Sequence, residues 1–161
     1  MSGWINGSGI IAGSSSTEGG YSAVRWDVAG KATDVGVEVG NLSEVLAINE
    51  RGIMAGQVSE AGKYRVVRWD EQGQATRLPT LGGAASRFRA LNGEGMVVGE
   101  ADSADRLSVP VYWDRDGQVF ALPPVAADEP YAVSDINDHG VIVGSAIVPD
   151  QYFRAVVWRT R

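Results

Sequence analysis

The chain has 161 residues, no cysteine, and 14 basic against 20 acidic side chains, for a net charge of −6. That length suits one well-buried domain, and the lack of cysteine excludes disulfides and thiolate metal sites. The acidic balance opposes nucleic acid and anionic membranes, which need a basic footprint, and no apolar run approaches the roughly 20 residues of a membrane helix.

Met1 to Asn6 carry neither a basic nor an apolar leader region, so the chain as written reads as unexported. They lead directly into Gly9-Ile10-Ile11-Ala12-Gly13, a glycine-framed apolar run. The run recurs at Gly52 to Gly56, Gly95 to Gly99 and Gly140 to Gly144. An asparagine stands three residues before each (Asn6, Asn49, Asn92, Asn137), and a tryptophan follows each (Trp26, Trp69, Trp113, Trp158). The asparagines are spaced 43, 43 and 45 residues apart. Such a period means one supersecondary unit per repeat, here approximately 1–42, 43–85, 86–130 and 131–161. The 21 glycines do not signal disorder, because the apolar fraction is 44% and most glycines fall at repeat-equivalent positions.

The second repeat shows the expected strands. Val45 to Ile48 is a short apolar run, and Asn49-Glu50-Arg51-Gly52 closes it as a turn. Ile53 to Gly56 follows as a second strand, Gln57 to Tyr64 reads as a polar connection, and Arg65 to Trp69 is a third strand. Asp70-Glu71-Gln72-Gly73 repeats the turn design before a fourth strand over Ala75 to Leu78. A valine precedes each tryptophan by two residues (Val24, Val67, Val111, Val156), so one face of every third strand is apolar. Nothing here carries helical periodicity or helix caps.

Four such units predict an all-β chain: a small β-propeller of four repeats of about 43 residues, forming one domain over 1–161. An open solenoid would leave apolar ends uncovered. Ala32 to Val35, Ala75 to Leu78 and Val119 to Leu122 supply fourth strands, whereas the last repeat stops at Arg161. The fourth blade should therefore lack its outer strand and leave Arg154 to Thr160 as an open edge. That edge implies either a homo-oligomer or a fragment of a longer array.

Ile48-Asn49-Glu50-Arg51-Gly52-Ile53-Met54-Ala55-Gly56, then Val66-Val67-Arg68-Trp69-Asp70-Glu71-Gln72-Gly73 through Leu78, resemble the HAF-type repeats of bacteria, often labelled probable extracellular repeats. The resemblance covers nearly the whole chain. It departs at Pro110, in place of a small third-strand residue, at Arg159, in place of aspartate, and in lacking the His-Ala-Phe triplet. It implies a propeller-like β fold, commonly exported, with no general activity and no catalytic residue to carry over.

Little chemistry stands out. His139, the only histidine, sits in the turn Asn137-Asp138-His139-Gly140, where other repeats hold Ser8, Arg51 and Glu94. No partner for a zinc site or a Ser-His nucleophile exists, and no metal or cofactor is expected. Asp114-Arg115-Asp116-Gly117 lacks the later glutamate of a calcium loop, and the Gly-x-x-x-Gly spacings lack a phosphate loop's Lys-Ser/Thr.

Departures from the repeat are better leads. Two residues before each asparagine stand Trp4, Ala47, Ala90 and Asp135, and three before stand Gly3, Leu46, Arg89 and Ser134. If the first strands are innermost, these border a central channel, with Glu44, Arg87 and Tyr131 near its mouth. Tyr21 and Tyr64 occupy equivalent points before their tryptophans, and Tyr152 lies beside Phe153 at the matching point of the last repeat. The connections Ser14 to Gly20, Gln57 to Lys63, Glu100 to Leu107 and Ala146 to Tyr152 are more diverse than the Asn and Asp turns. Function concentrates on such variable segments. The expected function is a non-catalytic module binding a small molecule or glycan at Trp4, Tyr21, Glu44, Tyr64, Arg87, Arg89, Tyr131, Asp135 and Tyr152. The alternatives are a protein-interaction scaffold using the open edge, or a cofactor-free enzyme such as a cyclase, with Asp135 or Glu44 as buried acid or base.

Overall fold

The Asn-x-x-Gly and Asp-x-x-Gly segments fold as one kind of turn, which sets the strand ends. A computed structural model describes residues 3–18, 20–37, 42–105, 107–125, 131–148 and 152–160. The Asn49 N–H donates to the Ile53 carbonyl and the Gly52 N–H to the Asn49 carbonyl, both at 3.0 Å. Asn49 Oδ1 accepts from the N–H groups of Arg51 and Ile53 at 3.1 and 3.0 Å. Asn92, Asn137 and Asp70 repeat the arrangement. The side chain thus satisfies donors that the reversal would orphan, and Gly52 supplies the φ of 83° that other residues resist.

These turns connect antiparallel strands in chain order. The first blade comprises β1 (Gly3–Ile5), β2 (Ile11–Thr17), β3 (Gly20–Trp26) and β4 (Ala32–Asp34). The second comprises β5 (Leu42–Ile48), β6 (Met54–Glu60), β7 (Lys63–Trp69) and β8 (Ala75–Arg77). The third comprises β9 (Gly82–Leu91), β10 (Val97–Ser103), β11 (Ser108–Trp113) and β12 (Val119–Ala121). The fourth has β13 (Tyr131–Ile136), β14 (Val141–Ile147) and β15 (Phe153–Arg159), and lacks an outer strand among the described residues, as expected. No helix occurs among the described residues.

Packing divides the chain into two compact units, Met1–Leu78 and Pro79–Arg161, each holding two sheets. The first core joins Ala12, Ala23 and Val35 to Val45, Met54, Val58, Val67 and Trp69. The second joins Met96, Val98, Tyr112 and Leu122 to Val133, Ile136, Ile142 and Trp158.

Two boundaries differ from the sequence expectation. The polar stretches Ser14 to Gly20 and Gln57 to Lys63, expected as long loops, are mostly strand: β6 and β7 meet across Ala61 and Gly62 alone, at φ 47° and 76°. Two successive positive φ values match the twist of a two-residue hairpin, so the polar residues pair instead of looping. The boundary at 85/86 falls inside β9, which begins at Gly82.

The repeated glycine and tryptophan explain each other. In β5, β9 and β13 one residue (Leu46, Arg89 or Ser134) is extra to the pairing, forming a bulge. Beside the bulge the inner strand approaches the glycine closing each apolar run. A Cβ on Gly56, Gly99 or Gly144 would meet the carbonyl oxygen of Glu44, Arg87 or Ala132 at 1.9–2.0 Å. On Gly99 it would also stand 3.2 Å from the Trp113 ring, and on Gly144 2.9 Å from the Trp158 ring.

Each of the later tryptophans then ties its blade to chain 34 or 35 residues upstream. The indole N–H groups of Trp69, Trp113 and Trp158 donate to the carbonyls of Val35, Pro79 and Pro123 at 2.7, 2.7 and 3.0 Å. The asparagines add a second tie within each unit. Asn6 Nδ2 donates to the Asn49 carbonyl at 3.0 Å, and Asn92 Nδ2 to the Asn137 carbonyl at 2.9 Å. The Glu50 carboxylate accepts from the Gly7 N–H, and Asp138 accepts from that of Gly93.

Gly99→Ala should therefore cost about 3 kcal/mol in denaturant unfolding, since the blocking atom is backbone. Gly62→Ala, with no atom within 4 Å of its added Cβ, should cost about 1 kcal/mol through its backbone angle alone.

Candidate functional site

In the first unit, three of the nine candidate residues converge. A cleft of about 350 Å³ is lined by Ser14, Tyr21, Leu42, Ser43, Glu44, Gln57 and Tyr64. Its floor is built by Ser43, which is buried; Ser43 Oγ accepts from the Ala23 N–H at 2.9 Å and so pins β5 against the first blade. Leu42 lies over Gly20, where a Cβ would meet its Cδ2 at 2.0 Å. Tyr21 and Tyr64 stand near the hairpin ends of β3 and β7, each about half exposed. Glu44 is exposed on β5 opposite Gln57 on β6.

The lining thus combines two aromatic rings, one aliphatic side chain, one carboxylate, one carboxamide and two hydroxyls, with no cation. In the second unit the positions equivalent to Tyr21, Glu44 and Tyr64 hold Ser108, Ala132 and Phe153, so that chemistry is not repeated there. Sequence reasoning missed Leu42 and Ser43, and named Ser14 and Gln57 only as ends of variable connections. The placement of Gln57 opposite Glu44 depends on strand register, and Gln57 read as part of a loop.

The other candidates have different surroundings. Arg87 and Arg89 of β9 share the Glu100 carboxylate: Arg89 Nη2 lies 2.8 Å from Oε1 and Arg87 Nη1 4.0 Å from Oε2. Their charge is directed at a neighbour on β10. Asp135 is exposed and its Oδ1 accepts from the N–H of Ile136 at 2.8 Å, so neither it nor Glu44 has the burial that an acid–base role requires. Trp4 is 43% exposed on β1. Tyr152 is exposed, with the Arg154 guanidinium 5.4 Å from its ring centre. His139 is exposed in its turn, and no cluster of three or more metal-ligating side chains occurs among the described residues.

Tyr131 is structural. Its hydroxyl donates to the Leu122 carbonyl at 3.0 Å and its ring lies 6.2 Å from that of Trp158. Register places it where the second blade has Ser43, whose hydroxyl accepts the Ala23 N–H. The residue matching Ala23 in the third blade is Pro110, which has no N–H to offer. One departure from the repeat thus accounts for the other.

Comparisons agree on architecture. No family model and no curated protein matches the chain. Among solved structures, TolB from Acinetobacter baumannii superposes with a TM-score of 0.61 at 14% identity, covering 99% of this chain and 40% of that one. A protein assigned as TolB from Agrobacterium tumefaciens gives 0.65 at 14% identity, covering 98% of this chain and 60% of that one. The chain therefore spans less than two thirds of either structure. The likeness shows the fold alone: the protein is all-β and of the small β-propeller class, with three strands in its fourth sheet among the described residues.

Burial pushes the Tyr131 phenol above its usual 10.0. The protonated ring is thus favoured on folding, and its contribution is complete below about pH 10 and lost as pH rises further. Tyr131→Phe should flatten that loss, read from urea midpoints at about pH 9 and about pH 11.

Proposed function

We propose that the protein is a non-catalytic binding module whose cleft between the first two blades holds a neutral carbohydrate. The observation that carries this reading is the convergence of Tyr21, Tyr64, Glu44 and Gln57 around about 350 Å³. That volume falls at the small end of ligand pockets and suits about one or two sugar rings. A pyranose has an apolar face to lie against a tyrosine ring and a rim of hydroxyls to donate to a carboxylate or share with a carboxamide. The absence of a cation in the lining disfavours anionic ligands.

Ligand contact on strand ends supports binding more than chemistry, because paired strands hold Tyr21, Glu44 and Tyr64 in fixed register. The same reading groups the chain with the HAF-type repeats, through the Asn-x-x-Gly turn and the Trp69-Asp70-Glu71-Gln72-Gly73 motif.

The test is calorimetric titration with neutral mono- and disaccharides, followed by Tyr21→Ala and Tyr64→Ala. Each substitution should weaken binding by about tenfold or more. Because both rings are half exposed, each should move the Tm by no more than about 2 °C. Absence of heat from every sugar at millimolar concentration would contradict the proposal.

A further inference from the structure

Alternate turns of the repeat carry an Asn-Gly pair, Asn6-Gly7 and Asn92-Gly93, whereas Asn49 and Asn137 precede Glu50 and Asp138. All four turns close alike: the glycine N–H three residues on donates to the asparagine carbonyl at 3.0–3.2 Å. A residue with a side chain therefore fits directly after the asparagine, and neither Gly7 nor Gly93 has a positive φ. The turn does not need these two glycines.

The neighbouring blade does. A Cβ on Gly7 would stand 2.7 Å from Glu50 Oε2, and one on Gly93 would stand 2.9 Å from both Asp138 oxygens. Bare main chain lets each acid reach the N–H. Glu50 accepts from Gly7 at 2.9 and 3.1 Å, and Asp138 from Gly93 at 2.6 Å. The arrangement occurs once in each unit, built from that unit's own residues.

Asn-Gly is also the dipeptide most prone to close on itself, because glycine has no side chain to hinder the ring. The main-chain nitrogen of Gly7, stripped of its proton by solvent base, attacks Asn6 Cγ. The Cγ–Nδ2 bond breaks, Nδ2 leaves as ammonia with protons from water, and a five-membered succinimide remains. Water then adds to one ring carbonyl and opens the ring to aspartate or isoaspartate. One water is consumed and one ammonia released, with no oxidant or cofactor.

The turn's own bonds do not shield the carbon under attack. Asn6 Oδ1 accepts from the Ile10 N–H at 2.9 Å, and Asn92 Oδ1 from those of Glu94 and Met96 at 3.1 and 2.9 Å. Donors on that oxygen draw electrons from Cγ and make it a better electrophile. Control then falls on the proton of the glycine nitrogen. A carboxylate within hydrogen-bond distance disfavours a second negative charge there and holds the N–H by a charge-assisted bond.

We propose that Asn6 and Asn92 are succinimide-forming sites, each kept unreacted by the acid of the adjacent turn, Glu50 in the first unit and Asp138 in the second. Conversion replaces the Nδ2 donor to the Asn49 or Asn137 carbonyl, now at 3.0 and 2.9 Å, with a carboxylate oxygen facing that carbonyl. The asparagine tie between two blades is lost with it, so the acid preserves that tie over the life of the protein.

The 161-residue chain and its variants are incubated in mildly alkaline buffer below their melting temperatures. Aspartate and isoaspartate at each asparagine are counted by peptide mass spectrometry. In the native chain Asn6 and Asn92 should convert about tenfold or more slower than in the chain unfolded in guanidinium chloride. Glu50→Ala should speed conversion at Asn6 about tenfold or more and leave Asn92 unchanged. Asp138→Ala should do the reverse. Amide hydrogen exchange at Ile10 and Met96 separates this from a loosened turn, since both N–H groups should stay slow in the variants. If Glu50→Ala does not fold, Glu50→Gln, which keeps an acceptor and removes the charge, should still speed Asn6 alone, by about threefold or more. Equal rates at Asn6 with and without the Glu50 carboxylate, one substitution speeding both sites, or conversion that follows loss of Ile10 protection would each overturn the proposal.

Discussion

The indole N–H of a buried tryptophan has few places to donate in a β core, and here it reaches a main-chain carbonyl 34 or 35 residues upstream. Trp69, Trp113 and Trp158 all do this, and the rest of the repeat is arranged around it. The ring needs space, so a glycine lies beneath it at Gly99 and Gly144. The same glycine admits the inner strand at its bulge. The accepting carbonyls follow the outer strands, at the point where the aliphatic residues Val35, Leu78 and Leu122 turn inward. One hydrogen bond thus ties the third strand to the chain just after an outer strand.

Much of this was legible in the sequence because turns and large apolar residues act locally. Asn49 and Asp70 close their loops with bonds to residues two and four positions ahead, and such bonds leave a spacing that can be read. Register is less legible. The serines and threonines of Ser14 to Thr17 read as loop because they lack an apolar face, yet they pair residue for residue with Gly20 to Ala23. Backbone pairing carries them where side chains give no signal. Arg87 and Arg89 looked available on the same grounds, although Glu100, on the neighbouring strand, takes both.

The positions that break the repeat fall into two physical kinds. Some compensate for one another, as Tyr131 does for Pro110, and serve packing. Others gather where nothing in the scaffold requires them. Tyr21, Glu44 and Tyr64 have counterparts Ser108, Ala132 and Phe153 in the second unit, which is folded from the same strands. A scaffold that tolerates serine, alanine and phenylalanine at those points does not demand two tyrosines and a carboxylate.

The tryptophan tie is tested most directly by hydrogen exchange at the five indole N–H groups, resolved by NMR in the native protein. Trp69, Trp113 and Trp158, with their carbonyl partners, should exchange slowly and together, near the rate of global opening. Trp26 is less buried than its three counterparts and Trp4 is 43% exposed, and both should exchange far faster. Equal exchange of Trp26 with the three later tryptophans would contradict the tie as the link on which the blades depend.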